Sequence, residues 1–262
     1  KDIKYRTIKF VGNPKLRIEE DALRIMRAFR FISKLGFSLD KKTADAIYEK
    51  RRFLSKISKE RIFDELSKIL LGPYVKKALY EMKNLGIFEL IIPEFKYTYK
   101  FKLGDFKNKN NLFYHIVNTV DFCKRDLITR LSALFHDLGK INTRIIDAKG
   151  NSFYYGHEKE SALIAEEKLR QLKASKDIIF SVKNIILNHM RVEQDLSVKE
   201  LKKLIMELGK ENLSRLFNLM SANMNSKTDS DKEKEKILID KLKDRIEEIE
   251  KMGKIPDIRD IA

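Results

Sequence analysis

Residues 18–36, IEEDALRIMRAFRFISKLG, decide how the chain is read. Ala22, Leu23, Ile25, Met26, Phe29, Ile32 and Leu35 fall three and four apart, the period of a helix with one buried stripe. Gly36 follows the last of them and supplies a helix-ending left-handed position. The same period continues outward. Asp40 opens a helix through Ala44, Ile47 and Tyr48, and Ser58 caps one carrying Ile62, Leu66, Ile69 and Leu70 before Gly72-Pro73. A fourth runs from Tyr74 to Leu85 and stops at Gly86. Six more are expected at residues 112–124, 127–138, 158–172, 177–190, 198–208 and 211–224, the fifth of them opened by a Ser197/Glu200 capping box, and a last at 232–252. The expected fold class is therefore all-α. Upstream, KDIKYRTIKFVG (1–12) alternates like a strand but is too short for a sheet of its own. Residues 94–110, EFKYTYKFKLGDFKNKN, have no period and read as a linker. Their aromatics (Phe95, Tyr97, Tyr99, Phe101, Phe106) interleave with Lys96, Lys100, Lys102 and Lys107, a pattern that equally suits stacking on bases.

The composition agrees. With 43% hydrophobic and 36% charged residues among 262, and 10 Gly and 4 Pro, a many-turned β fold is excluded. No apolar run is long enough to cross a bilayer and no signal peptide opens the chain, which gives a cytoplasmic expectation. The single Cys123 excludes an internal disulfide and a cysteine-based zinc site, and reads as a small buried hydrophobe. The net charge is +16, unevenly placed. Residues 1–110 hold 27 basic and 14 acidic side chains, residues 111–190 hold 12 and 9, and residues 191–262 hold 16 of each. A general lysine bias would spread the excess, so its concentration at the front points to a phosphate-rich partner.

Two groups of residues carry chemistry. In RIEEDALRIMRAFRF (17–31), Arg24, Arg27 and Arg30 recur every three residues, and Asp21 precedes Arg24 by three, which would set them on one helix face. A carboxylate beside a guanidinium can read the polar edge of a base without a template strand. Spacing alone favours the blander reading, an ordinary ion pair on a solvated face. The second group is the four histidines, His115, His136, His157 and His189, with Asp137 beside His136 in FHDLGK (135–140). Imidazoles with a carboxylate suit a divalent transition metal that activates water for phosphoester hydrolysis, and they equally suit satisfied interior groups. Asp229-x-Asp231, in a charged run before a helix, is better explained as helix capping than as a metal pair.

The runs GNPKLRIEEDALRIMRAFRFISKLGFSLD (12–40), ISKERIFDELSKIL (57–70) and LGIFELIIPEF (85–95), in this order, resemble the class II tRNA nucleotidyltransferase and poly(A) polymerase family. The resemblance implies a neck and body over residues 13–95, with residues 1–12 a remnant of a head-domain sheet, 96–110 a linker, 111–228 an HD domain and 229–262 a helix leading into a tail, whose start PDIRDIA (256–262) resembles. It implies that Glu20, Asp21 and Arg24, with Arg27 beside them, bind the incoming nucleotide and select ATP or CTP, and that Glu60 and Arg61 belong to a supporting motif. The parent's Mg-dependent polymerising chemistry would lie in the head, whose paired carboxylates and Gly-Gly turn this sequence does not match. His115, His136-Asp137, FYYGH (153–157) and LNHM (187–190) resemble an HD phosphohydrolase site. The resemblance implies a metal held by His115, His136 and Asp137, with His157 and His189 near the mouth and Asn223 where the family has Asp. The expected function is nucleotide selection and tRNA 3′-end binding within a nucleotidyltransferase. The alternatives are a metal-dependent phosphohydrolase acting on nucleotides or RNA ends, and an RNA-binding module without catalysis.

Overall fold

The computed structural model describes residues 4–103, 111–226 and 229–252. These fold as helices joined by short turns, with two pairs of two-residue strands, so the class is all-α. No helix among the described residues is long and apolar enough to cross a membrane.

The helix expected around Asp21 is two helices. Asn13 caps α1 (Pro14–Glu20), its side chain accepting from Lys15 N with Pro14 in the first turn. Asp21 then turns extended, at φ −151 and ψ 101, and α2 (Leu23–Leu35) starts afresh. Ile18 and Ala22 are buried on either side of the break. The apolar stripe therefore runs across it, which is why periodicity does not reveal it. Gly36, at φ 70, ends α2 as expected.

The short strand at the N-terminus is β1 (Thr7–Ile8). It pairs in parallel with β2 (Ser38–Leu39), which follows α2. Asp40 caps α3 (Lys41–Lys50), a 3₁₀ turn follows at Arg51–Lys56, and Ser58 caps α4 (Lys59–Leu70). α5 (Val75–Asn84) packs with α4 against α2. Ser33 Oγ donates to Ile69 O at 2.6 Å, and a Cβ at Gly72 would lie 2.0 Å from that hydroxyl and 2.5 Å from Ser33 O. Only a hydrogen fits there, so Gly72 sets how closely α2 meets the end of α4.

The expected linker is not loose over its first part. The body ends with a short helix, α6 (Phe88–Ile91), and a second, α7 (Phe95–Thr98), carries it into the stretch read as linker. Phe95 and Thr98 are fully buried, and Tyr99 meets Phe113 edge-on at 5.2 Å. Those rings are committed to packing and not to bases, whereas Tyr97 remains exposed. Phe106 and Lys107 lie outside the described residues.

The second half opens with α8 (Leu112–Phe122), capped by Asn111, and α9 (Leu127–Phe135), capped by Asp126. A short α10 (Lys140–Thr143) leads into the antiparallel hairpin β3 (Ile145–Ile146) and β4 (Ser152–Phe153). Then come α11 (His157–Gln171), α12 (Lys176–Asn188), a 3₁₀ turn (Arg191–Glu193), α13 (Val198–Asn225) and α14 (Asp229–Met252). The Ser197/Glu200 capping box is formed, and Gly209, at φ 65 and ψ 169, divides α13 where two helices are expected. The segment 256–262 lies outside the described residues.

The two halves share a core. Phe113 on α8 meets Tyr80, Phe88, Phe95 and Tyr99, with centroids 5.2–6.1 Å apart. Arg130 on α9 is 3% exposed and donates to Leu70 O, to Gly72 O at 2.9 Å and to Cys123 O at 3.2 Å. The guanidinium thus satisfies carbonyls where α4 and α8 end, at the negative ends of both helix dipoles. Lys168 on α11 adds an ion pair to Glu94 at 2.9 Å. Cys123 is buried, and burial pushes its thiol up to about 12, which makes it an inert packing group.

Candidate nucleotide-selecting motif and metal centre

The break at Asp21 rearranges the neck motif. Asp21 Oδ1 accepts from Leu23 N at 3.1 Å and starts α2. The carboxylate partner of Arg24 is Glu20, with Nη1 to Oε2 at 2.8 Å, and the same nitrogen donates to Arg17 O at 3.0 Å. Arg17 Nη1 donates to the same Oε2 at 2.9 Å and to Oε1 at 3.2 Å. The side-chain hydrogen bonds from Arg17 and Arg24 hold Glu20 below the usual carboxylate range. Asp21 Oδ2 faces Arg61 Nη2 on α4 at 3.7 Å. The expected Asp21–Arg24 pairing at helical spacing is therefore corrected to two crossed pairs, Glu20–Arg24 and Asp21–Arg61, because residue 21 is extended. One turn on, Arg30 pairs with the buried Glu65 of α4 at 2.9 Å. Glu60 lies in the first turn of α4 and Arg27 beside Arg24 on an open cleft of about 490 Å³. Arg17, Arg24, Arg27, Phe10 and Phe31 line that cleft. It joins three guanidiniums to two aromatic rings.

The four histidines converge on Asp137. His115 on α8 puts Nε2 3.0 Å from Asp137 Oδ2, and His136, at the end of α9, lies 3.4 Å from the same oxygen. His157, opening α11, is 3.4 Å from Oδ1, and His189, ending α12, is 3.8 Å from it. All five are at most 6% exposed. His157 and His189 thus sit inside the centre and not at its mouth, since the ends of α11 and α12 point inward. Gly139 makes this possible. A Cβ there would meet His157 O at 2.4 Å, so the turn after Asp137 tucks directly under α11.

Hydrogen bonding orients every ring the same way. The Nδ1 atoms of His136, His157 and His189 face the carbonyls of Ala133, Tyr154 and Ile186 at 2.7, 2.8 and 2.7 Å, so each Nδ1 carries the proton. His115 Nδ1 donates to Ser226 Oγ at 2.9 Å, and that hydroxyl donates to Asn223 O at 2.6 Å. Each Nε2 lone pair is left facing Asp137, the orientation that outer hydrogen bonds impose on metal-bound histidines. The Nε2 atoms of His136, His157 and His189, and Oδ1 of both Asp137 and Asn223, are buried without a hydrogen-bond partner among the described residues. Burial lowers His136 to about 4 and His189 well below its usual value, so both stay neutral. Burial alone would raise Asp137, but the electrostatic pull of the adjoining His136 and of Lys140, whose Nζ lies 2.7 Å from Oδ2, keeps it ionised, well below the carboxylate range.

Neutral imidazoles, an ionised carboxylate and orphaned buried ligand atoms fit a metal ion. The atoms form two groups sharing Asp137, His115/His136/Asp137 and Asp137/His157/His189, each within 4.8 Å of one another. Lys140 and Ser226 escape sequence reasoning. Lys140 Nζ lies 2.7 Å from Asp137 Oδ2, and its only sequence signal is its place three residues on. Ser226 comes from 111 residues away and carries none.

Comparison with known proteins follows the same division. Residues 36–98 match the family described as the probable RNA and SrmB-binding site of polymerase A, and residues 112–244, just over half of the chain, match the HD domain. A CCA-adding enzyme from Geobacillus sp. (strain WCH70) is 49% identical over 83 residues, which is 32% of this chain and 20% of that relative. One from Streptococcus gordonii is 43% identical over 95 residues, or 36% and 24%. Among solved structures, the Bacillus stearothermophilus CCA-adding enzyme in complex with CTP superposes with a TM-score of 0.63 at 22% identity, covering 94% of this chain and 52% of that one. A tRNA nucleotidyltransferase complexed with a primer tRNA and an incoming ATP analog gives 0.53 at 19% identity, covering 93% and 63%. This chain therefore spans about half the length of the first of these solved relatives, and the matched segments about a fifth of the curated ones. It belongs to the HD-domain family and carries, ahead of that domain, a segment that matches the polymerase A model, an order consistent with class II tRNA nucleotidyltransferases.

Proposed function

We propose that this chain is the base-selecting and RNA-binding part of a cytoplasmic tRNA nucleotidyltransferase that adds nucleotides to tRNA 3′ ends. The observation that carries the reading is the crossed pairing of Glu20 with Arg24 and Asp21 with Arg61 beside the arginine- and phenylalanine-lined cleft. The pairs fix donors and acceptors on two helices at once, which is what selection without a template requires: Asp21 accepts from a base amino group and Arg24 donates to a ring acceptor. Arg27 supplies charge for the phosphates. The Mg-dependent transfer chemistry belongs to the head domain that the resemblance implies. Equilibrium dialysis tests the reading. ATP and CTP should bind more tightly than GTP and UTP, and equal affinity for all four would overturn it.

The divided contacts of Asp137 favour a second reading for the other half, a metal-dependent phosphohydrolase. His115 and His136 would hold one ion with Oδ2, and His157 and His189 a second with Oδ1, with Asn223 a neutral oxygen nearby. A bound ion would supply Lewis acidity and an activated water. The protein's own part is to hold His136 and His189 neutral and to keep Lys140, now beside Asp137, within reach of a phosphate. Elemental analysis after incubation with nickel, manganese or zinc should find metal in the wild type and a loss in His136→Ala. Equal metal in both would contradict it.

A further inference from the structure

A cavity of about 640 Å³ lies where the N-terminus of α11, the outer face of α12, the Arg191–Glu193 turn and α13 meet. Phe180, Asn184, Leu187 and Asn188 line it from one face of α12, at helical spacing of four, three and one. Lys159, Met190, Arg191 and Gln194 close the other sides. None of its lining residues belongs to the histidine centre, although Glu158 follows His157, and Asn188 and Met190 flank His189. The cavity lies one layer behind that centre and apart from the neck cleft.

Its chemistry is that of a nucleotide site. Phe180 is 59% exposed, a large ring on a surface that gives it no packing role. Asn188, 7% exposed, is a buried amide held in one orientation. Its Nδ2 donates to Asn184 O at 2.8 Å, and its Oδ1 accepts from Arg191 Nε at 3.3 Å. Gln194 Oε1 accepts from Arg191 Nη1 at 3.2 Å. Two amides thus aim the guanidinium, and preorganised arginine is the group that grips phosphate. Lys159 has no ion pair among the described residues and lines the same cavity. The volume lies in the range that takes a mononucleotide. Two carboxylates, Glu158 and Glu207, also face the cavity, the latter 3.6 Å from Lys203. They bring the lining to no net charge, so the several charges of a triphosphate would be left uncompensated, whereas a single phosphate can be met directly by Arg191.

We propose that this cavity is a second nucleotide-binding site, for a nucleoside monophosphate whose phosphate meets Lys159 and Arg191 and whose base lies against Phe180, Leu187 and Met190. The proposal stands independently of base selection in the neck. The test is calorimetric titration of the full chain with adenosine 5′-monophosphate, in EDTA so that no metal recruits the phosphate. Three variants are compared with the wild type: Arg191→Ala, Phe180→Ala and the double variant Asp21→Ala/Arg24→Ala. Phe180 is exposed and Arg191 half-buried, and unchanged circular dichroism establishes that their variants fold. Binding at the cavity should weaken about tenfold or more in each single variant, and the neck variant, which removes only base selection, should retain a binding event that Arg191→Ala and Phe180→Ala each weaken. No binding to the wild type, or wild-type affinity in both Arg191→Ala and Phe180→Ala, would overturn the proposal. Loss confined to the neck variant would overturn it too while leaving the neck reading intact. Inorganic phosphate competing as well as the nucleotide would show that the base contributes nothing, and would also overturn it.

Discussion

Asp137 and the rings around it show how single residues are tuned. A buried histidine that must stay neutral costs stability in acid. His136 in the folded chain titrates at about 4, against an ordinary value of 6.5 in the unfolded one. Between those values the unfolded state binds a proton that the folded state refuses, so stability is lost as pH falls from about 6.5 to about 4 and the loss levels off below. This one residue accounts for roughly 3 kcal/mol over that window at most. Chemical denaturation in EDTA at a series of pH values should show the fall in the wild type and a shallower one in His136→Asn. A flat profile between pH 6.5 and 4 would mean that the centre is open to water. The cluster itself is legible in the sequence, because four histidines in so short a stretch, one followed by Asp, have few other uses. Lys140 and Ser226 are not legible, because what reaches across a centre is decided by packing between distant helices and not by neighbours in the chain.

At the scale of the element, capped helices are the best-read parts. Asp40, Ser58 and Ser197 each bond a backbone N–H within three residues, so their signal is local. The break at Asp21 is unreadable because Ile18, Ala22 and Leu23 keep the stripe intact while the backbone turns. The short α7 hides for the opposite reason, since Phe95 and Thr98 lie in a stretch whose lysines make it look solvated. Two junctions between elements can be tested directly. Gly72→Ala should destabilise the chain by about 2–4 kcal/mol, because the added methyl collides with backbone as well as with the Ser33 hydroxyl. Arg130→Met should cost about 3 kcal/mol, since three buried carbonyls lose their donor. Thermal denaturation measures both, and a change under 0.5 kcal/mol, on the order of a neutral surface substitution, would contradict the packing described.

For the whole molecule, the charge distribution and the two groups of residues divide the labour. The front of the chain carries +13 of the +16 and the cleft with Arg17, Arg24 and Arg27. tRNA affinity should therefore fall when the exposed Lys41, Lys42 and Lys56 become Ala, and hardly change when the exposed Lys202, Lys203 and Lys210 do. The slope of log K against log salt should flatten by up to about one for each phosphate that the front set no longer neutralises. Equal weakening by the two sets, in filter binding across a salt series, would remove the argument from charge. The central claim is that the neck selects the base. Its most direct test is the ratio of ATP and CTP affinity to GTP and UTP affinity, measured in wild type and in Asp21→Ala/Arg24→Ala. The account predicts a clear preference in the wild type that collapses toward unity in the variant while the fold, by circular dichroism, is kept. A preference that survives the loss of both side chains would contradict it.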